Sequence, residues 1–126
     1  WAGRYDQINA FEKILADNGV CIVKFFLHVS RSEQLQRLKK RLDDPRKHWK
    51  INPEDFQERK RWKSYQTAYE DALAKCSTSH APWYVIPADH KWFRNAAVSQ
   101  ILVDTLRDLD MKFPKPAFDV SQIRVE

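Results

Sequence analysis

The sequence predicts an α/β fold, on three observations. Residues Val20–Val29 (VCIVKFFLHV) make an almost unbroken apolar run of strand length. A strand exposed on one face alternates, so a run this continuous fits a strand covered on both faces, as in a parallel sheet flanked by helices. Ser30 follows, with Glu33 three residues on, the capping-box spacing that opens a helix. A second strand-like stretch, Pro82–Pro87 (PWYVIP), comes after a long helical segment. Helix, tight stop, strand, capped helix and second strand is the order of an α/β domain.

Trp1–Arg4 is a lead-in. From Tyr5 to Asn18 the apolar residues Tyr5, Ile8, Phe11 and Leu15 recur every three or four positions, which predicts an amphipathic helix. Asn18-Gly19 stops it. The apolar strand follows, then the helix opened by Ser30, with Leu35, Leu38 and Leu42 on one side. Arg37 and Arg41 stand four apart and project together from another side. Two guanidinium groups one turn apart form a fork that suits phosphate oxygens. Pro45 then breaks the pattern. Asn52-Pro53-Glu54-Asp55 supplies a cap, a proline at the first position and acids in the first turn. The stripe Trp62, Tyr65, Tyr69, Ala72 and Cys76 predicts one long helix running to about Lys75. After the Pro82–Pro87 strand and the turn Ala88–Lys91, Trp92–Leu109 reads as a last helix. Pro114 and Pro116 forbid helix in the tail, 111–126.

At 126 residues the chain is a single domain. Net charge is +5, and it is local: 37–63 holds eleven Lys or Arg against five Asp or Glu, an excess of six. An anionic partner is expected on that face. Cys21 and Cys76 do not share ligand spacing with His28, His48, His80 or His90, so no zinc site is expected. No apolar run reaches membrane-spanning length, and a reduced cytoplasmic setting is expected. With Gly3 and Gly19 the only glycines, the chain has no glycine-rich phosphate loop. Two strands leave most ladder groups unpaired. The chain is therefore expected to be the C-terminal half of a larger α/β domain, or to be completed by a partner.

Four stretches carry a resemblance: INAFEKIL (8–15), KFFLHVSRSEQLQRLKKRLDDPRKHWK (24–50), the run R-x-x-W-x-x-Y-x-x-A at Arg59, Trp62, Tyr65 and Ala68, and APWYVIPADHKWFRN (81–95). In these the chain resembles the C-terminal half of the polyphosphate kinase 2 family, nearest the branch that phosphorylates both nucleoside mono- and diphosphates. The resemblance implies a P-loop kinase, thymidylate kinase-like, three-layer fold, here two parallel strands plus packing helices and a lid at about 41–63. It also implies phosphoryl transfer between inorganic polyphosphate and ADP, AMP or ATP, with Mg2+. The family's Walker A and Walker B segments match nothing in this chain and would lie upstream of Trp1. On that reading the chain alone is not a competent kinase, and the magnesium ligands lie outside it.

The resemblance also distributes roles. Arg37 and Arg41 are the catalytic candidates, neutralising charge on the transferred phosphoryl group. Arg46, Lys47 and Lys50 would face polyphosphate from the lid, with Trp49 packed beneath as an anchor. Arg59 would extend the same track, while Lys60 faces water. Ala88, Asp89, Lys91 and Arg94 are candidates for the nucleotide, although Asp89 could equally cap the last helix. Lys24 and His28 read as core polar residues; of the two, His28 is kept as a candidate ligand, because it lies at the carboxyl end of the strand, where ligands bind. Trp62, Tyr65 and Tyr69 read as core or subunit contact, and a homo-oligomer is expected. Two other readings fit parts of the pattern. The strand, cap and arginine pair would serve an ATP-dependent nucleoside monophosphate kinase. The basic segment alone would serve a nucleic-acid-binding module, but its aromatic residues are too few for a single-strand stacking platform. The expected partners therefore include no nucleic acid and no membrane.

Overall fold

The computed structural model describes residues 2–124; Trp1 and the last two tail residues, 125–126, lie outside them. Helix α1 (Ala2–Asp17) begins earlier than the periodicity predicts, because nothing in Ala2-Gly3-Arg4 breaks a helix. It ends as the sequence requires. Gly19 takes φ +82°, Val20 N–H donates to Leu15 O at 3.1 Å and Gly19 N–H to Ala16 O at 3.0 Å. These are the 6→1 and 5→2 bonds of a Schellman stop, which a residue with a Cβ makes only under strain.

Strand β1 is Lys24–His28, five residues rather than the ten of the apolar run. Its single neighbour among the described residues is β2 (Trp83–Pro87), parallel and in the register Lys24↔Trp83 to His28↔Pro87. β2 supplies only five rungs, so Val20–Val23 approach the sheet without pairing. Side chains alternate across β1. Lys24 and Phe26 meet α1 and α4 (Trp62–Cys76), where Phe26 and Tyr69 have ring centroids 4.5 Å apart. Phe25 and Leu27 face α5 (Lys91–Asp108) on the other side. The result is the expected three-layer α/β arrangement. The expected double coverage is incomplete: Leu27 is 45% exposed. The buried hydrophobic residues among those described are few, namely Leu38, Cys76, Ala81, Ile86 and Ala88. Both cysteines are free, Cys76 buried and Cys21 exposed.

The crossover from β1 to β2 is helical but interrupted. Helix α2 (Arg31–Asp43) starts at the Ser30 cap, whose side chain accepts Glu33 N–H. Of the predicted stripe only Leu38 is buried. A 3-10 turn over Pro45–Lys50 is capped by Asp44. Helix α3 (Pro53–Glu58) starts at the Asn52 cap. The single long helix expected from Asn52 to Lys75 is in fact two, separated by a 3-10 turn at Arg59–Arg61. There Arg59 reaches sideways to Arg31 O and Gln34 Oε1 on α2, and Arg61 leaves helical geometry (φ −88°, ψ 18°). The break lets α3 lie against α2 while α4 packs on α1. The last helix has His90 at its N-cap position without a side-chain cap bond, so Asp89 does not cap it. In the tail the described residues hold one 3-10 turn, Val120–Gln122.

One ion pair ties all three partners of the α1 side together. Lys24 Nζ donates to Glu12 Oε2 at 2.6 Å and Cys76 O at 2.7 Å, and sits 5.3 Å from the Trp83 ring centroid. Both side chains are only 13% exposed. Lys24→Met leaves the Glu12 carboxylate uncompensated. It is expected to cost on the order of 2–3 kcal/mol, less than the roughly 3–5 of a fully buried pair because some solvent reaches it. The double variant Lys24→Met/Glu12→Leu recovers most of that loss, as read from urea midpoints.

The 3-10 turn predicts a pH response. Hydrogen bonds from Arg46 and Lys47 hold the Asp44 carboxyl at about 2, below its ordinary 3.8. A carboxyl depressed by folding stabilises above its unfolded value and loses that contribution as pH falls through the folded one. The stability gap between wild type and Asp44→Asn is therefore expected to be constant above pH 3.8 and to close toward pH 2, in urea titrations across that window.

Candidate functional site

A cleft of about 440 Å³ opens at the carboxyl end of β1, between α2 and the α3–α4 segment. Phe26–Val29 form its floor. Gln34, Arg37, Leu38 and Arg41 line one wall, and Asp55, Glu58, Arg59, Trp62, Tyr65 and Tyr69 the other. The α2 wall follows from helical spacing, since positions 34, 37, 38 and 41 repeat at three and four and share a face. The carboxyl ends of strands in open α/β sheets are where ligands bind.

Three of the predicted cations converge here, each held differently. Arg37 is committed to protein: its Nε donates to Glu33 Oε1 at 2.8 Å, and its Nη2 to Ala88 O at 2.7 Å and Asp89 O at 3.0 Å. Arg59 is held by Arg31 O at 2.8 Å and Gln34 Oε1 at 2.7 Å, neutral acceptors that leave its charge uncompensated. Arg41 is the loosest. Its one side-chain partner among the described residues is Asp55 Oδ2 at 3.5 Å, and its side chain is 38% exposed. Arg37 and Arg41 thus share a face, as the spacing requires, but one is tethered and the other available.

His28 lies exposed on the cleft floor rather than in the core, and the remaining predicted cations and nucleotide candidates lie outside the lining. Arg46, 89% exposed, and Lys47 both pair with Asp44. Lys50 Nζ lies 4.8 Å from the Trp49 ring centroid, and Trp49 is 79% exposed. Trp49 is therefore not the buried anchor expected of it: its ring meets water and the Lys50 ammonium of the same turn. Ala88 is buried, and Asp89 is turned toward α2, where its Oδ1 accepts Ser30 N–H at 2.7 Å. That backbone bond and the Ser30 side chain hold the Asp89 carboxyl below the usual carboxylate range. Lys91 is exposed at the start of α5, and Arg94 is engaged with Asn95.

Sequence reasoning missed several lining residues. Gln34 is one turn before Arg37–Leu38 and was legible from the same spacing. Asp55 read only as a first-turn acid, and Glu58 carried no reading of its own; their return to Arg41 and Tyr65 needs the break at Arg59–Arg61. Tyr65 and Tyr69, expected as core or contact, line the cleft half-exposed, and Glu58 Oε2 accepts Tyr65 O–H at 2.7 Å and raises the phenol's pKa. No group of three or more His, Cys, Asp or Glu side chains that could hold a metal ion occurs among the described residues. Glu33, Asp55, Glu58 and Asp89 each already accept from a protein donor.

Comparison with known proteins bears on this geometry. Residues 1–114 match the family described as polyphosphate kinase 2. The whole chain is 51% identical to an AMP/ADP-polyphosphate phosphotransferase of Meiothermus ruber, spanning 47% of that protein. It is 47% identical over 124 residues to an uncharacterised protein of Leptolyngbya boryana, spanning 88% of it. Among solved structures, polyphosphate kinase 2 from Arthrobacter aurescens superposes with a TM-score of 0.91 at 48% identity, over 95% of this chain and 43% of that one. The chain thus spans about half the length of the phosphotransferase and of the solved kinase it matches. By sequence match and by fold, the chain belongs to the polyphosphate kinase 2 family.

Proposed function

We propose that the chain is part of an enzyme transferring a phosphoryl group between inorganic polyphosphate and nucleotides, with ADP and AMP as acceptors. The observation that carries this is the convergence of Arg37, Arg41 and Arg59 on one cleft at the carboxyl end of β1, in a member of this family. Phosphoryl transfer asks a protein for positioning and charge neutralisation more than for covalent chemistry. Arg41 is the phosphate ligand on this reading. A polyanion outcompetes one carboxylate at 3.5 Å, so Asp55 holds the guanidinium in place until substrate arrives.

Arg59 extends the anion track from the opposite wall. Segment 41–63 acts as the lid, with Arg46, Lys47 and Lys50 meeting polyphosphate from outside the cleft. Exposed lysines and arginines suit a polymer, because each repeat presents similar charge and register matters little. Lys91 and Arg94, at the start of α5, serve the nucleotide. The family resemblance implies Mg2+, but Glu33, Asp55, Glu58 and Asp89 already accept from protein donors, and no ligand set of three or more gathers among the described residues. On this reading residues outside this chain would hold magnesium, and no step here runs through it. The same reading places the protein in the cytoplasm, with the exposed apolar faces of α1 and α5 covered by further protein, either more of the same polypeptide or a second subunit. No helix among the described residues is long and apolar enough to cross a membrane.

Arg41→Ala in the intact enzyme is expected to lower kcat for ATP formation from polyphosphate and ADP by about 10²–10³-fold. The thermal midpoint should stay within about 2 °C, since a surface pair contributes little. Normal turnover in this variant would remove Arg41 from the reaction. Activity with ATP but not polyphosphate as donor would favour an ATP-dependent nucleoside monophosphate kinase instead.

A further inference from the structure

We infer that Ser30, Glu33, Arg37 and Asp89 form one closed hydrogen-bonded ring that fixes α2 over the cleft, and that Arg37 and Asp89 are positioning residues for Arg41 rather than ligands of the substrate. The inference rests on the reading of Arg41 given above.

The ring can be followed bond by bond. Asp89 Oδ1 accepts Ser30 N–H at 2.7 Å. In a complete capping box the glutamate at the third helical position accepts that N–H. Here Asp89 does so from 59 residues away, and Glu33 is released. Ser30 Oγ accepts Glu33 N–H at 3.1 Å, and Glu33 Oε1 accepts Arg37 Nε–H at 2.8 Å. Arg37 Nη2 then returns to the turn it started from, donating to Ala88 O and Asp89 O. Both carbonyls belong to the turn between β2 and α5.

Each member is at most partly exposed, so the bonds are shielded from competing water. Three of the five Arg37 N–H groups are used within the ring. The ring joins the N-terminus of α2 to the carboxyl end of β2, beyond the last register pair His28↔Pro87. Arg41 lies one turn further along the same helix. A shift of α2 by an ångström moves Arg41 by a similar amount, enough to cost about 10²-fold in rate.

The test uses conservative variants of the intact enzyme. Asp89→Ala and Arg37→Lys are each expected to lower kcat about 10- to 100-fold, with KM for polyphosphate and for nucleotide changed by less than about twofold. Lysine keeps the charge but cannot reach Glu33 and the two carbonyls together. Asp89→Asn retains an acceptor for Ser30 N–H and should restore most of the rate. The double variant Asp89→Ala/Arg37→Lys should be no slower than the worse single variant, because the ring acts as a unit. Without substrate, amide exchange at Ser30 should accelerate in Asp89→Ala and in Arg37→Lys. A rise in KM with kcat preserved, additive losses, or unchanged exchange would overturn the inference. If exchange accelerates as expected but Arg41→Ala turns over normally, the role of Arg41 falls and the ring is a structural tie alone. That outcome separates failure of the functional reading from failure of the ring.

Discussion

The fold depends on the parallel pairing of Lys24–His28 with Trp83–Pro87. A parallel pair cannot be closed by a hairpin, so everything between the strands must serve as crossover. Helices α2, α3 and α4 fill that role, and they leave the sheet at the carboxyl end of β1. Helix α5 starts at the same end, one turn after β2. The pairing therefore brings the N-termini of two helices side by side and opens the cleft beneath the first. The ladder continues past the strands: Ala88 N–H donates to His28 O at 2.8 Å, and Asp89 then captures Ser30. At the opposite end Lys24 anchors the same sheet to α1 and α4. One five-rung pairing is thus locked at both ends by charged side chains.

The basic segment is less naked than its composition suggests. Of its five acids, Asp44, Asp55 and Glu58 stand in ion pairs with cations of the same segment. What distinguishes Arg41 and Arg59 is the weakness or neutrality of their partners and their place in the cleft. Local charge excess points to a face; only the partners of each cation say which are free to meet an anion.

Much of this was legible in the sequence. The Asn18-Gly19 stop, the Ser30 and Asn52 caps, the proline-bracketed second strand and the α/β order all follow from local chemistry, and local chemistry does not need the fold. The sharing of a face by Arg37 and Arg41 followed from helical spacing. Illegible features were those set by distant residues. The break at Arg59–Arg61 arises from contact with α2. The tethering of Arg37 depends on two carbonyls 51 and 52 residues away. Glu33 was readable as the second half of a capping box, and the box is only half made because Asp89 takes its place. The length of β1 was overread for a related reason, since an apolar run records what will be covered, not which residues will find a partner strand.

The spacing between the two strands has a consequence for how the chain assembles. β1 cannot pair until a partner 59 residues downstream has left the ribosome, and the bond from Asp89 to Ser30 spans the same interval. The helices between them can form early from their own caps, whereas closure of the sheet must wait. Until then Phe25, Phe26 and Leu27 are an uncovered apolar segment with open backbone groups. During synthesis this is the stretch of the nascent chain most in need of a chaperone's cover.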